Sequence, residues 1–428
     1  MTTTTLKMPL WLAILVNINI VIGASFFLNS SSIAASAGAL APFAWIIFGI
    51  LLLPLVLVLA NLSRIYPLAG GLYVYSKQEL GPLWGFLSGW GYFIGSAAGN
   101  AVVIHALSEF AYHHHALPAL TNNPTTTIFI VDIFAVMLFM IANLLNLQIL
   151  STIQIFLTAL KCLPLFLVLI ALPFLFDITN ITTAPLNFTG LFGTVPLVLF
   201  SYIGIEACCA ITHTIQNGQE NAARAMLISF ILIMGIYAFV QAGLLAICGS
   251  TCANPFGQIL QKLFLNPLLI TWGNGLIYMA IGASYLGGFY GMFFSNNWNL
   301  FAMAEENCFI GKKVLIKLNS LGAPQTCVAI QGFLIMGLLT ITHNLLTLQI
   351  WSDVGVFTAY ILSAIAFFIY IKRNKSRYNV IAICAFVSCS FLLYTSIVAD
   401  GLIHLMPFIC VMLFGLFNYA LAKAKLNI

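Results

Sequence analysis

The chain is a succession of apolar runs, each close to a membrane thickness in length, separated by short polar connections. Twelve runs are read at approximately 10–34, 41–62, 82–108, 126–146, 150–174, 193–214, 222–247, 268–300, 325–342, 349–371, 379–397 and 403–422. About 20 apolar residues in helical form cross the hydrocarbon of a bilayer. A lone strand would leave backbone groups unpaired in lipid, and the alternating segments of about 10 residues that build a membrane barrel are absent. The pattern therefore predicts an all-α integral membrane protein of 12 transmembrane helices, forming one polytopic domain over 1–428.

Two runs are interrupted in the same way. The first holds Ile22-Gly23-Ala24-Ser25-Phe26 near its middle, and the sixth holds Ser201-Tyr202-Ile203-Gly204-Ile205-Glu206. Glycine and small polar residues weaken a helix there, and such breaks expose backbone amides and carbonyls where these line a cavity. The interrupted runs lie five apart in order. That spacing predicts a 5+5 inverted-repeat transporter fold with broken helices 1 and 6 facing one cavity. The repeats would cover 10–174 and 193–371, with two additional helices in 379–422. Either glycine alone reads as a packing residue; the pair, with Glu206 two residues on, reads as a binding site. The third run carries Gly85, Gly89, Gly91, Gly95 and Gly99, a small-residue stripe that lets helices approach closely.

Composition agrees with the pattern. Of the residues 62% are hydrophobic and 6% charged, where a soluble chain carries about 25% charged. A soluble core could not enclose that much apolar surface. Placement of the 15 Lys and Arg residues gives an orientation. With the N-terminus inside, the inner side collects thirteen: Lys7, Arg64, Lys77, Arg224, Lys312, Lys313, Lys317, Lys372, Arg373, Lys375, Arg377, Lys423 and Lys425. Lys262 alone falls outside and Lys161 lies within a run. Cationic loops stay in the cytoplasm, so both termini are expected there, in the inner (plasma) membrane.

Several function classes drop out. No basic arm exists to carry nucleic acid. The first run, Trp11 to Ile33, is too long for a cleaved signal peptide. The ten cysteines are scattered through apolar runs without zinc-type spacing; Cys248 and Cys252, flanking an outer loop, are the one pair to examine for a disulfide. There is no nucleophile motif or metal cluster, so no enzyme, cofactor or metal site is expected. His113-His114-His115 reads as loop, because three consecutive residues cannot face one ion from a helix.

Ionisable groups inside runs are few, and each costs about 2.5–3.5 kcal/mol to insert at a helix centre. Lys161 is expected to point into the bundle and tie its helix to backbone carbonyls of the broken first helix. Glu206 is read either as a proton or cation site, or as a neutral acid bonded to Tyr92 that locks two helices. Asp353 is read first as a cap opening the tenth helix and second as a cavity carboxylate. Asp132 and Asp400 are taken as interfacial.

The stretch Tyr66-Pro67-Leu68-Ala69-Gly70-Gly71-Leu72-Tyr73-Val74-Tyr75, with Leu80-Gly81-Pro82-Leu83-Trp84-Gly85-Phe86, resembles the loop after helix 2 in the amino acid–polyamine–organocation (APC) superfamily. Leu300-Phe301-Ala302-Met303-Ala304-Glu305-Glu306 and Gly322-Ala323-Pro324 resemble its segment between helices 8 and 9. The third and sixth runs look like the arginine/agmatine antiporter branch. That resemblance implies that Tyr92 gates, Asn100 contacts substrate, Phe200 closes over it and Glu206 belongs to the gate. Three positions depart from that branch. Gly23-Ala24-Ser25-Phe26-Phe27 carries serine where a glycine is usual, Phe200 replaces a tryptophan, and Thr158-Ala159-Leu160-Lys161 is similar to sodium-independent branches where a lysine stands in for sodium.

The resemblance implies an amino acid permease, sodium-independent, working by alternating access through proton symport or exchange. A cationic amino acid/amine antiporter and a non-transporting sensor are the alternatives. Substrate is expected at Ile22, Gly23, Ala24, Ser25, Asn100, Phe200, Ser201, Tyr202 and Gly204, with Tyr92, Lys161, Glu206 and Asp353 as gate or coupling residues. The expected partners are an amino acid or amine and the lipid bilayer. The oligomeric state is left open, a homodimer included.

Overall fold

The computed structural model describes residues 8–67, 70–114, 120–144, 157, 159–207, 215–375 and 378–425. The end of the fourth expected run, the start of the fifth, the end of the sixth, and His115, Lys7, Arg377, Leu68 and Ala69 lie outside these.

The described residues are helical and carry no β-strand, only two isolated bridges. The first run is two helices, α1 (Leu10–Val21) and α2 (Ala24–Ala37), bent by 54° at the break. The next three are α3 (Ala41–Ile65), α5 (Pro82–His113) and α6 (Pro124–Asn143). A ten-residue helix, α4 (Gly71–Leu80), lies between α3 and α5. The fifth run contains α7 (Leu163–Leu175), within an apolar stretch described from Ala159. Two short helices follow, α8 (Ile178–Thr182) and α9 (Phe188–Gly193), then α10 (Val195–Tyr202), which carries the sixth run to its break. After these come α11 (Gly218–Cys248), α12 (Pro255–Leu263), α13 (Pro267–Glu305), α14 (Lys312–Leu315), α15 (Gln325–Ile341), α16 (Leu345–Arg373), α17 (Asn379–Asp400) and α18 (Met406–Lys425).

Among the described residues seven helices are long and apolar enough to cross a membrane alone, or eight with α1 and α2 taken as one bent span. The twelve expected runs thus include shorter pieces as well. Burial runs opposite to that of a soluble protein. Phe134, Phe174 and Trp272 are more than 60% exposed, while Asn17, Asn100, Lys161 and Asp353 are buried. Apolar surface outside and polar groups inside is what a lipid solvent selects.

The helix α5 is central. It is not among the seven, because glycine, serine and Asn100 dilute its apolarity, yet it is buried from Gly85 to Ser108 on nearly every face. It packs against α2, α4, α6, α13, α15, α16 and α18. The glycine stripe sets how close these come. A Cβ on Gly95 would stand 2.7 Å from the Val356 amide nitrogen and 2.8 Å from the Ser352 carbonyl oxygen. A Cβ on Gly355 would stand 2.5 Å from both the Gly91 carbonyl oxygen and the Gly95 Cα. The backbones of α5 and α16 therefore touch without side chains between them.

One end of the bundle is stitched by ion pairs. Arg64 meets Glu220 at 3.2 Å, Lys77 meets Glu306 at 2.9 Å, and Glu79 is held by Arg373 and Tyr66. These join the ends of α3, α4, α11, α13 and α16. They gather at the side where the basic residues collect.

Candidate functional site

At the first break α1 closes with the Ile22 amide on the Ile18 carbonyl (2.8 Å) and the Gly23 amide on Val21 (2.7 Å). The chain runs extended through Gly23, and α2 begins at Ala24 with no side-chain cap. First-turn amides of such a helix lack intrahelical partners and form the positive end of its dipole. Ile22, Gly23, Ala24 and Ser25 are all buried, so these amides face the interior. The carbonyl end of α1 is served by two donors. Lys161 Nζ donates to the Asn19 carbonyl, and the Tyr237 hydroxyl donates to Val21 at 3.0 Å. A buried ammonium on the negative end of a helix is a favourable placement.

At the second break α10 stops at Tyr202, and Gly204 takes φ +103°, a conformation open to glycine and strained for other residues. A Cβ on Gly204 would also come within 3.1 Å of Ile20 Cγ2, so the two breaks lie against one another. Polar clasps hold α10 in place. Asn29 Nδ2 donates to the Leu197 carbonyl (3.0 Å) and lies 3.3 Å from Ser201 Oγ. Gln349 Nε2 donates to Asn29 Oδ1 at 3.1 Å.

Helices α5, α13 and α16 form the facing wall. The Cβ direction of Gly99 points at Ser352 Oγ (2.9 Å), Met292 Cε (3.1 Å) and the Phe200 ring (3.4 Å). Gly288 of α13 approaches the Ala24 amide nitrogen, 3.9 Å from its Cβ position. Asn100 follows Gly99 and is fully buried. Neither atom of its amide group finds a partner among the described residues, nor does Ser352 Oγ. Leaving such a group unsatisfied costs about 1–3 kcal/mol, so this spot is suited to a polar guest.

Eight residues before Asn100, about 12 Å along the helix, Tyr92 donates to Glu206 Oε1 at 2.7 Å. Tyr360 of α16 donates to Oε2 at 2.5 Å, and the Gly204 amide lies 3.1 Å from the same oxygen. Both carboxyl oxygens are therefore engaged, and α5 and α16 are tied to the segment that follows α10. At the opposite end a cavity of about 480 Å³ opens, lined by Phe27, Ser31, Glu109, His113, Cys252 and Tyr285.

Not every expected residue comes to this place. Tyr202 turns toward α3, donating to the Trp45 carbonyl at 2.8 Å and packing on Phe230 and Tyr237. Asp353 is corrected as a cap: α16 begins at Leu345, where Asn344 accepts from the Leu346 and Thr347 amides. Asp353 is instead fully buried inside the helix, and Ser396 of α17 donates to its Oδ2 at 2.9 Å. Asp132 is not interfacial either, being fully buried 2.7 Å from His105 Nδ1. Asp400 pairs with His404 at 3.2 Å. Sequence reasoning missed Tyr237, Tyr360, Asn29, Gln349, His105 and His343; for all but His343, which lies in a connection, the available signal was a polar residue inside an apolar run.

Cys248 and Cys252 are free thiols rather than a disulfide. Cys252, in the loop between α11 and α12, is drawn below the usual thiol range, first by Cys248 beside it, then by the Asn254 amide and Lys262. Its thiolate, the reactive form, therefore appears at a lower pH than that of an ordinary thiol and grows as pH rises. A membrane-impermeant maleimide added to sealed cells is expected to label the protein, several-fold faster at pH 8 than at pH 6. Cys252→Ser should abolish that labelling; a pH-independent rate would contradict the assignment.

Comparison with known proteins follows the same lines. A family described as amino acid permease matches residues 9–417. A serine/threonine exchanger of Bacillus subtilis is 24% identical over 413 residues, covering 92% of each chain. A putative arginine/ornithine antiporter of Escherichia coli K12 is 24% identical over 432 residues, covering 92% of this chain and 87% of its own. An aspartate-proton symporter of Bacillus subtilis is 24% identical over 303 residues, covering 64% and 58% respectively.

Proposed function

This chain belongs to the amino acid permease family, and from that premise we propose that it exchanges small neutral amino acids, without sodium, across the plasma membrane. Both termini lie in the cytoplasm, with the ion-paired end facing inward, and 10–174 and 193–371 act as two inverted repeats around one site. The substrate carboxylate meets the first-turn amides of α2 at Ala24 and Ser25, since a half-helix N-terminus favours an anion. Its amino group meets carbonyls at the breaks, and Asn100 reads the remainder, with the Phe200 ring closing over it. Lys161 holds α1 where a bound cation would otherwise be needed. The Tyr92–Glu206–Tyr360 contact closes the inner side and parts when the site opens to the cytoplasm.

The observation that carries the neutral specificity is the state of Glu206. Both its oxygens are engaged by phenols and an amide, leaving no free carboxylate there for a cationic side chain. Exchange is favoured because relatives spanning nearly the whole chain are named an exchanger and an antiporter. A cationic substrate is the second reading, and the similarity over nearly the whole chain to a relative named an arginine/ornithine antiporter favours it.

The test is uptake of labelled serine, threonine and arginine into sodium-free proteoliposomes, either empty or preloaded with unlabelled amino acid. Exchange predicts serine or threonine uptake only with preloading and no response to an uncoupler. Uptake into empty vesicles driven by a pH gradient would replace exchange with proton symport. Arginine as the preferred substrate would replace neutral with cationic specificity.

A further inference from the structure

Away from the site just described, α5, α6 and the turn before α16 bring together residues far apart in sequence. His105 and Asp132 are buried, and His343 is half-buried. One donor atom from each of the three lies within 4.8 Å of the other two. His105 Nδ1 is 2.7 Å from Asp132 Oδ2. The remaining oxygen, Asp132 Oδ1, and the imidazole nitrogen His343 Nδ1 are both buried with no partner among the described residues.

A carboxylate oxygen and an imidazole nitrogen both left without partners in one three-residue cluster are unusual in an apolar interior. Each unsatisfied atom carries a desolvation cost of about 1–3 kcal/mol. The ring of His343 is also held in place, stacked on His105 at 5.5 Å between centroids and met edge-on by Phe129 at 5.4 Å. Glu109, one turn along α5, lies 3.6 Å from His105 Nε2 and lines the outer cavity.

We propose that His105, Asp132 and His343 bind one divalent transition-metal ion, zinc foremost, entering from the outer cavity. Imidazole nitrogen and carboxylate oxygen suit zinc, which takes four ligands at about 2.0–2.2 Å. Water completes the set. Such an ion clamps α5 and α6 to the turn that leads into α16. It binds independently of amino acid substrate, because none of these residues touches the two breaks.

The test uses full-length purified protein stripped with chelator and then dialysed against zinc or cobalt. The cluster predicts one retained equivalent of zinc per chain by elemental analysis. It also predicts the visible absorption of four-coordinate cobalt and a higher melting temperature with zinc. His343→Ala and Asp132→Asn should lose all three readouts, with at least a tenfold weaker zinc affinity. His343→Gln, at the least buried ligand, provides a second variant if Asp132→Asn does not fold. His113→Ala/His114→Ala and Cys248→Ser/Cys252→Ser should retain the metal. Zinc held equally by the His343 variants, or lost with either of those controls, would overturn the assignment, as would no retained metal in the unsubstituted protein.

Discussion

Lys161→Ala is expected to reduce amino acid uptake in proteoliposomes by at least tenfold while the protein still purifies as a single species. The ammonium is buried and donates to the Asn19 carbonyl in the last turn of α1. Removing it leaves that acceptor without a donor in the membrane interior, at about 1–3 kcal/mol. It also removes a positive charge from the negative end of the half-helix. Since 1.4 kcal/mol is a factor of ten in an equilibrium, the population with α1 correctly set against its break falls accordingly. Lys161→Met separates charge from packing, as it keeps most of the apolar stem. Near-normal uptake by Lys161→Met would show that packing, not the charged donor, holds α1.

Gly95→Leu is expected to lower the melting temperature in detergent more than any other glycine substitution on α5, and to reduce the yield of folded protein. A Cβ there meets the backbone of α16 below 3.0 Å at three atoms, and backbone cannot rotate away as a flexible side chain can. Overpacking a tight core costs about 1–3 kcal/mol, and here the strain falls on the contact between the two most closely packed helices. Gly235→Leu on α11 is the matched control, since nothing lies within 4 Å of its Cβ position. Equal melting temperatures for the two variants would contradict the close approach of α5 and α16.

Much of this was legible in the sequence because lipid imposes simple rules. Apolar run length fixed where α3, α6, α11, α13 and α17 lie to within a few residues, and the stripe from Gly85 to Gly99 announced a close helix contact. The break at Gly23 was visible as a run of small residues, and that at Gly204 as a glycine beside Glu206. Both produce interruptions in the structure. What was not legible depends on direction around a helix. Tyr202 lies one residue from Ser201, yet its hydroxyl reaches α3 while Ser201 faces Asn29. Asp353 looked like a cap because Thr347, Gln349 and Ser352, scattered among leucine, isoleucine and tryptophan, blurred the helix start. The third partner of Glu206 was invisible because Tyr360 lies 154 residues away. His105, Asp132 and His343 were hidden for the same reason, since no local spacing joins them. The short helices α8, α9 and α12 were missed because they lie in the connections between runs.

The central proposal is that an amino acid binds at the two breaks and Asn100. The measurement that tests it most directly is sodium-free uptake of a panel of labelled amino acids by the unsubstituted protein and by Asn100→Leu, paired with their melting temperatures. The amide of Asn100 is buried without partners, so replacing it with an apolar group of similar size should leave stability unchanged or raised. The account predicts saturable uptake by the unsubstituted protein, and at least a tenfold loss in Asn100→Leu with no drop in melting temperature. Uptake by Asn100→Leu equal to that of the unsubstituted protein would contradict it.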